Sequence, residues 1–197
     1  NKGYFGDRLA DMAGRYQADV VTIKKDWGEA FELSELEEAV EKHRPSILAM
    51  VHAETSTGVC QPMQGIGDLC KRNNCLLLLD TVTSLGGVPL YLDQWGVDLA
   101  YSCSQKGLSC PPGLGPFTMS PRAEEKLEGR VGKVPNWYLD VSLLNKYWGS
   151  DRVYHHTAPV NMNIGIREAL RLLADEGLDN AWARHKSNAE ELWNGLE

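Results

Sequence analysis

Two residues in this chain could do chemistry together. Lys106 follows Ser104 and Gln105 in YSCSQKG, residues 101–107, at the end of an apolar run. Asp80 closes a run of four leucines in CLLLLD, residues 75–80. A carboxylate at such a place is largely removed from water, which is costly unless it is paired. A helix cap or a hydrogen bond to a neighbouring loop would also account for Asp80, and a solvated loop is the ordinary place for a lysine. Considered together, the two offer more. A lysine amine can form a Schiff base with an aldehyde cofactor. An aspartate beside a pyridine nitrogen favours the charged, protonated ring, which withdraws electrons and stabilises a carbanion next to the imine. That pairing is the arrangement used with pyridoxal phosphate. The amine must also be neutral for part of the cycle, to act as nucleophile and base.

Other side chains could complete such a site. Ser104 and Gln105 offer a hydroxyl and an amide for a phosphate. Tyr154, His155, His156 and Thr157 lie side by side in VYHHT, and Tyr154 and Thr157 could donate to the same phosphate. The histidine pair reads more simply as a hydrogen-bonded corner than as a metal site, because adjacent histidines point apart in most conformations. AETSTG, residues 53–58, presents Thr55, Ser56 and Thr57. A hydroxyl there could meet a cofactor's phenolic oxygen, or simply cap a loop. Val82 could lie against a flat ring, or simply belong to the core.

These residues need a frame. Helical spacing runs through residues 3–16, and ADVVTIK, residues 18–24, reads as a strand. SELEEAVEKH, residues 34–43, reads as a helix with Ser34 as its cap, Glu37 three residues on, and a stop at Pro45. Strands are expected at 46–52, 75–80, 97–103 and 115–120, with a helix at 64–73. After residue 121 the pattern is helical to the end. This alternation predicts an α/β fold with a mostly parallel sheet flanked by helices. Ligands in such sheets bind outside the carboxyl ends of the strands. Thr55, Asp80 with Val82, and Gln105 with Lys106 each follow a different strand end.

Bulk properties narrow the function. A length of 197 residues suffices for one sizeable core. A net charge of −7 argues against nucleic acid or an anionic membrane surface as the main partner. No apolar run is long enough to span a membrane as a helix. Five cysteines without a C-x-x-C pair speak against a disulfide framework or a zinc site. The chain begins at Asn1 and stops inside a helical pattern, so a fragment of a longer protein is expected.

Several longer motifs carry a family resemblance. NKGYFGDR, VTIKKDWGEAF, HRPSILAMVHAETSTGVCQP, CLLLLDTVTSLGGVPLYLDQWGVDLAYSCSQKGLSCPPG, NWYLD and YHHTAPV occur in this order and span nearly the whole chain. The sequence resembles the class V, fold-type I, pyridoxal phosphate-dependent aminotransferases, most of all the alanine–glyoxylate/serine–pyruvate branch. The resemblance implies Lys106 as the Schiff-base lysine and Asp80 as the pyridine-nitrogen partner. It implies Val82 on the ring face, Thr55 near the cofactor oxygen, and Gln105 as a phosphate ligand. Tyr154 and Thr157 match phosphate ligands that the family supplies from a neighbouring subunit, which implies a homodimer with active sites at its interface. Residues 1–177 would then be part of the cofactor-binding large domain. Residues 178–197 would begin the connection to a small carboxy-terminal domain. The family's Gly-rich phosphate loop, stacking aromatic residue and carboxylate-gripping arginine would lie outside this chain. A peroxisomal or mitochondrial location is implied in the same way. Thr55 stands where this branch often has serine, and KGLSCPPG departs from the common form just after the lysine.

The expected reaction is transfer of an amino group from alanine or serine to glyoxylate or pyruvate. 3-Hydroxykynurenine transamination is the nearest alternative, and a non-catalytic relic of the scaffold is a second. Cysteine desulfurase and kynureninase-like chemistry share the scaffold, but a desulfurase needs a mobile cysteine, and these cysteines sit on or beside core elements. A nicotinamide-dependent dehydrogenase is disfavoured because no G-x-G-x-x-G follows a strand.

Overall fold

The computed structural model describes residues 1–196. Its centre is β4 (Leu76–Asp80), a leucine run buried along both faces. Such a continuous apolar run suits a strand covered on both sides rather than one with a wet face. β1 (Ile47–Val51) pairs parallel to one edge of β4. β5 (Leu99–Tyr101) pairs parallel to the other. β6 (Phe117–Met119) closes that side antiparallel, giving the order β1-β4-β5-β6. The α/β fold with a mostly parallel sheet flanked by helices is therefore as expected. A two-residue hairpin, β2 (Ala53–Glu54) with β3 (Val59–Cys60), lies beyond the end of β1 and has no counterpart in the sequence reading.

The helices are α1 (Tyr4–Arg15), α2 (Leu33–His43), α3 (Ile66–Arg72), α4 (Pro121–Glu128), α5 (Val141–Trp148), α6 (Val160–Glu176) and α7 (Leu178–Leu196). Leu36, Val40, Met63, Ile66, Leu69, Leu77 and Leu79 form the core between α2, α3 and the sheet. Gly177, at φ 82°, separates α6 from α7. The buried Ala181 and an edge-on contact of Trp182 with Tyr91 tie the start of α7 to the sheet domain.

Two expectations change. The cap of α2 lies two residues early, at Glu32 rather than Ser34, and the Glu35 carboxylate accepts from the Glu32 N–H at 2.8 Å. Phe31 decides this. Its ring enters the core, and its N–H and C=O are both bonded to the Gln61 side chain, at 3.1 and 2.8 Å. The chain direction fixed there starts the helix before Ser34. Residues 18–24 form no strand, although their composition suits one. A strand needs a paired neighbour, and the only backbone bonds of 19–24 among the described residues are made around Asn1, at Ile23.

Candidate active site

Sheet register brings three strand ends to one level. Val51, Asp80 and Tyr101 are aligned across β1, β4 and β5. Bonds from His52 N–H to Asp80 O (3.0 Å) and from Thr81 N–H to Tyr101 O (2.9 Å) carry the alignment into the loops. Polar residues that follow these ends therefore lie at the same end of the sheet, which is where ligands bind in such sheets.

Asp80 is 4% exposed. One oxygen, Oδ1, accepts the Val82 N–H at 2.9 Å, and Oδ2 accepts the Tyr101 hydroxyl at 2.5 Å. The carboxylate is thus buried, aimed and supported. Burial, then the bond donated to Asp80, pushes the Tyr101 phenol well above its ordinary range, so it stays a donor. Sequence reasoning missed Tyr101. The only signal was an aromatic residue at the end of a strand; its register with Asp80 is a property of the folded sheet.

Thr55 is exposed on the turn after β2. Its hydroxyl lies 3.1 Å from that of Thr83, which in turn donates to Ala53 O at 2.7 Å. Thr83 has one proton and gives it to the carbonyl, so Thr55 is the donor of the pair. The turn is anchored by Glu54, 1% exposed. Its carboxylate accepts from the backbone of Phe5, Gly6 and Ser56 at 3.4, 3.2 and 3.1 Å. A carboxylate is well placed at the start of α1, where unpaired N–H groups converge. Glu54 too was absent from the sequence reading, since the contact spans about 50 residues of chain.

Gln105 and Lys106 are both exposed on the turn after β5. Among the described residues the Lys106 amine makes no ion pair or hydrogen bond, which leaves it available. Its backbone is fixed nonetheless. Lys106 O accepts from Ser109, and Ser104 O from Cys110, at 2.9 and 3.0 Å. Gly107 packs against the turn after Asp80 so closely that a Cβ would come within 2.3 Å of Leu85 O. Gly86, at φ 83°, faces it across the same contact. Ser104 corrects the sequence reading. It is fully buried and donates to Pro111 O at 2.7 Å, so it locks the loop and is not a free phosphate donor.

Tyr154 and Thr157 lie together on the segment between α5 and α6, with hydroxyls 3.3 Å apart. Tyr154 is 74% exposed. No hydrogen bond among the described residues joins either to Asp80, Gln105 or Lys106. His155 is buried, stacked on Trp137 at 4.3 Å, and 2.9 Å from His156 through the Nδ1 atoms. This is the hydrogen-bonded corner that the pair suggested.

The donor set fits pyridoxal phosphate in chemical kind. A buried, doubly supported carboxylate suits a ring cation. A free amine on a rigid turn suits an aldehyde. An exposed amide beside it suits a phosphate oxygen.

Comparison with known proteins identifies the family. The family described as aminotransferase class-V matches residues 8–197. A crystal structure of alanine–glyoxylate aminotransferase from Nostoc sp. is 67% identical, with a TM-score of 0.98, over 100% of this chain and 52% of that one. The alanine–glyoxylate aminotransferase of Oryctolagus cuniculus is 44% identical over 99% of this chain and 50% of its own. Ureidoglycine–glyoxylate aminotransferase from Bacillus subtilis is 36% identical, with a TM-score of 0.92, over 94% of this chain and 48% of that one. The chain thus spans about half the length of these relatives. Fold, motif order and match together place this chain in the class-V aminotransferase family.

Proposed function

We propose that the protein containing this chain is a pyridoxal phosphate-dependent transaminase that moves an amino group from alanine or serine to glyoxylate or pyruvate. The observation that carries the reading is the register-matched pair of strand ends, with Asp80 held by Tyr101 on one and an unengaged Lys106 on the next. Glyoxylate is the better supported acceptor, because relatives with different amino donors in their names share it. 3-Hydroxykynurenine remains the alternative donor, and a relic scaffold the non-catalytic one.

Pyridoxal phosphate, when bound, supplies an aldehyde that condenses with amines and a ring that draws off electrons. Asp80 would hold the proton on the ring nitrogen, with Tyr101 and the Val82 N–H fixing its angle. Val82 would pack on the ring face. Thr55 would sit near the phenolic oxygen, kept in place by Thr83 and Glu54. Gln105 would donate to the phosphate. Tyr154 and Thr157 would do so from the partner subunit of a homodimer. Lys106 Nζ would hold the aldehyde in the resting enzyme. Released by the incoming amino acid, it would take the proton from the substrate carbon and return it to the cofactor carbon. Residues 1–177 would serve as the cofactor-binding part, and 178–197 would lead to a second domain. A peroxisomal or mitochondrial location belongs to the same proposal and is tested by imaging the tagged parent protein.

The test uses the parent protein. Added pyridoxal phosphate should produce a visible absorption band that alanine bleaches, and glyoxylate should restore it. Lys106→Ala should lose the band and turnover while retaining the far-ultraviolet circular dichroism of the parent. Near-normal turnover in that variant would sink the assignment. A folded parent dimer that gives no band would favour the relic scaffold.

A further inference from the structure

Lys106 sits on a closed loop whose neck is pinned at Ser104. The Ser104 N–H donates to Leu114 O at 3.1 Å, and the Leu114 N–H reaches back to Ser104 Oγ at 3.4 Å. On the outgoing leg, Gly107 packs on the turn after Asp80. The return leg is CPPG, residues 110–113. Pro111 and Pro112 have no N–H to donate, and Gly113 donates no hydrogen bond among the described residues. Beyond the Cys110 N–H and the Pro111 carbonyl, backbone bonding does little to hold this leg.

The start of α6 lies against it. Gly113 has φ 136°, a conformation open to glycine. A Cβ there would stand 3.3 Å from both Cγ and Sδ of Met162. Gly165 is three residues further along α6 and so on the same face of the helix. A Cβ at Gly165 would stand 3.4 Å from Cys110 Sγ and 3.9 Å from Pro111 Cδ. A glycine on each side thus lets helix and loop approach closely, and Leu108 and Cys110 are buried at 5% and 6% exposure. The loop that presents Lys106 therefore has two walls, the turn after Asp80 on one leg and α6 on the other.

We propose that Met162 and Gly165 of α6 are positioning residues for Lys106, bracing the return leg of its loop so that the amine is held where it meets an aldehyde. With one wall only, the loop can tilt about the Gly107 contact. A displacement of 1 Å at a reacting atom can cost about a hundred-fold in rate, and a site is only as precise as the packing behind it. The inference deepens the proposed reaction and rests on Lys106 being the amine that takes the aldehyde.

The test uses the full-length parent protein with its cofactor removed. Capture of added pyridoxal phosphate, followed by the visible band, should be about ten-fold slower in Met162→Ala, and Met162→Leu should recover the parent rate. In hydrogen exchange without cofactor, the Ser109 and Cys110 amides of Met162→Ala should exchange about ten-fold faster than in the parent, with β4 unchanged. Equal capture rates in a folded Met162→Ala overturn the proposal. So does faster exchange spread evenly through the sheet, which marks general loosening. A reversible lock supplies the converse. In Met162→Ala combined with Gly165→Cys, oxidation by diamide should join the new thiol to Cys110, as peptide mapping shows, and recover the capture rate, and reduction should lose it again. A disulfide that forms and recovers nothing overturns the proposal, and so does its failure to form in the folded variant. Where Met162→Ala does not fold, Gly165→Cys alone decides. Its disulfide should slow exchange at Ser109 while capture still proceeds, whereas a locked loop that cannot capture means that Lys106 works only after leaving α6. A parent that forms no band defeats the reading of Lys106 itself, and exchange in Met162→Ala then still decides whether α6 holds the loop.

Discussion

Tyr101 aims Asp80. With the Tyr101 hydroxyl on Oδ2 and the Val82 N–H on Oδ1, the carboxylate is held at both oxygens. Tyr101→Phe keeps the ring and removes the bond. A hydrogen bond to a charged group contributes roughly 1.5–3 kcal/mol, so affinity of the parent protein for pyridoxal phosphate should fall about ten-fold or more. Unchanged affinity would show that the peptide N–H alone positions Asp80. His52 is the other residue with a distinct consequence. Burial, then the nearby Lys2, pushes its pKa down to about 4. Its Nε2 faces the Cys60 sulfur at 3.5 Å, while Nδ1 is buried without a partner among the described residues. An unfolded histidine titrates near 6.5. Between these values the unfolded chain binds a proton that the native protein refuses, so protonation favours unfolding. The stabilising contribution is complete above about pH 6.5 and falls away toward pH 4, by roughly 3 kcal/mol. His52→Phe should flatten that part of the dependence, read as urea midpoints of the parent and variant between pH 7 and 4.5. Identical slopes would mean that His52 takes up protons in the native state after all. At this scale Lys106, Asp80, Thr55, Val82 and Gln105 stood out in the sequence because each follows a strand end. Tyr101, Thr83 and Glu54 did not, because their partners are set by register and by contacts across distant stretches of chain.

The elements are held in place by a small number of polar anchors. Asp98, just before β5, is the clearest. Its carboxylate accepts from Leu77 N–H and Ser120 Oγ, both at 2.8 Å, and from Arg122 Nε at 3.0 Å. Arg122 also reaches Cys75 O. One cluster thus joins the start of β4, the start of β5 and the first turn of α4. Burial disfavours the Asp98 charge, and the Arg122 bonds, with Leu77 and Ser120, more than offset this, so its carboxyl is held below the usual range. Arg122→Ala would leave a carboxylate that is 4% exposed without its countercharge. Breaking a fully buried pair from one side costs about 3–5 kcal/mol, and the part-exposed arginine reduces this to about 2 kcal/mol. Chemical denaturation of the parent protein measures it, and a loss below about 0.5 kcal/mol would reduce the cluster to a surface pair. Element type was largely legible from period and composition, as β4 and α1 show. Residues 18–24 show the limit. Valine and isoleucine mark a segment that suits a strand, but a strand exists only where a neighbour completes the ladder.

At the scale of the whole molecule, the region around α5 and α6 is the part that least resembles a finished surface. Trp137, Tyr138, Trp148, Tyr154, Val160 and Ile164 are each more than half exposed. Aromatic residues gathered in this way mark interfaces, and Tyr154 and Thr157 lie among them without a bond to the strand-end site. Both facts follow if the segment serves the partner's site. The arrangement makes a prediction that stability alone cannot imitate. One chain carries Lys106→Ala, the other Tyr154→Ala with Thr157→Ala, and each homodimer should have little or no activity. In a hybrid dimer, one site collects every defect, while the other has intact Lys106 from one chain and intact Tyr154 and Thr157 from its partner. Random pairing makes half the dimers hybrid with one good site of two, so co-expression should restore about a quarter of the parent rate. If each chain supplies its own phosphate ligands, no combination contains an intact site, and mixing restores nothing. Size-exclusion chromatography of differently tagged chains shows that hybrids have formed, so an inactive mixture containing them would rule out the shared site.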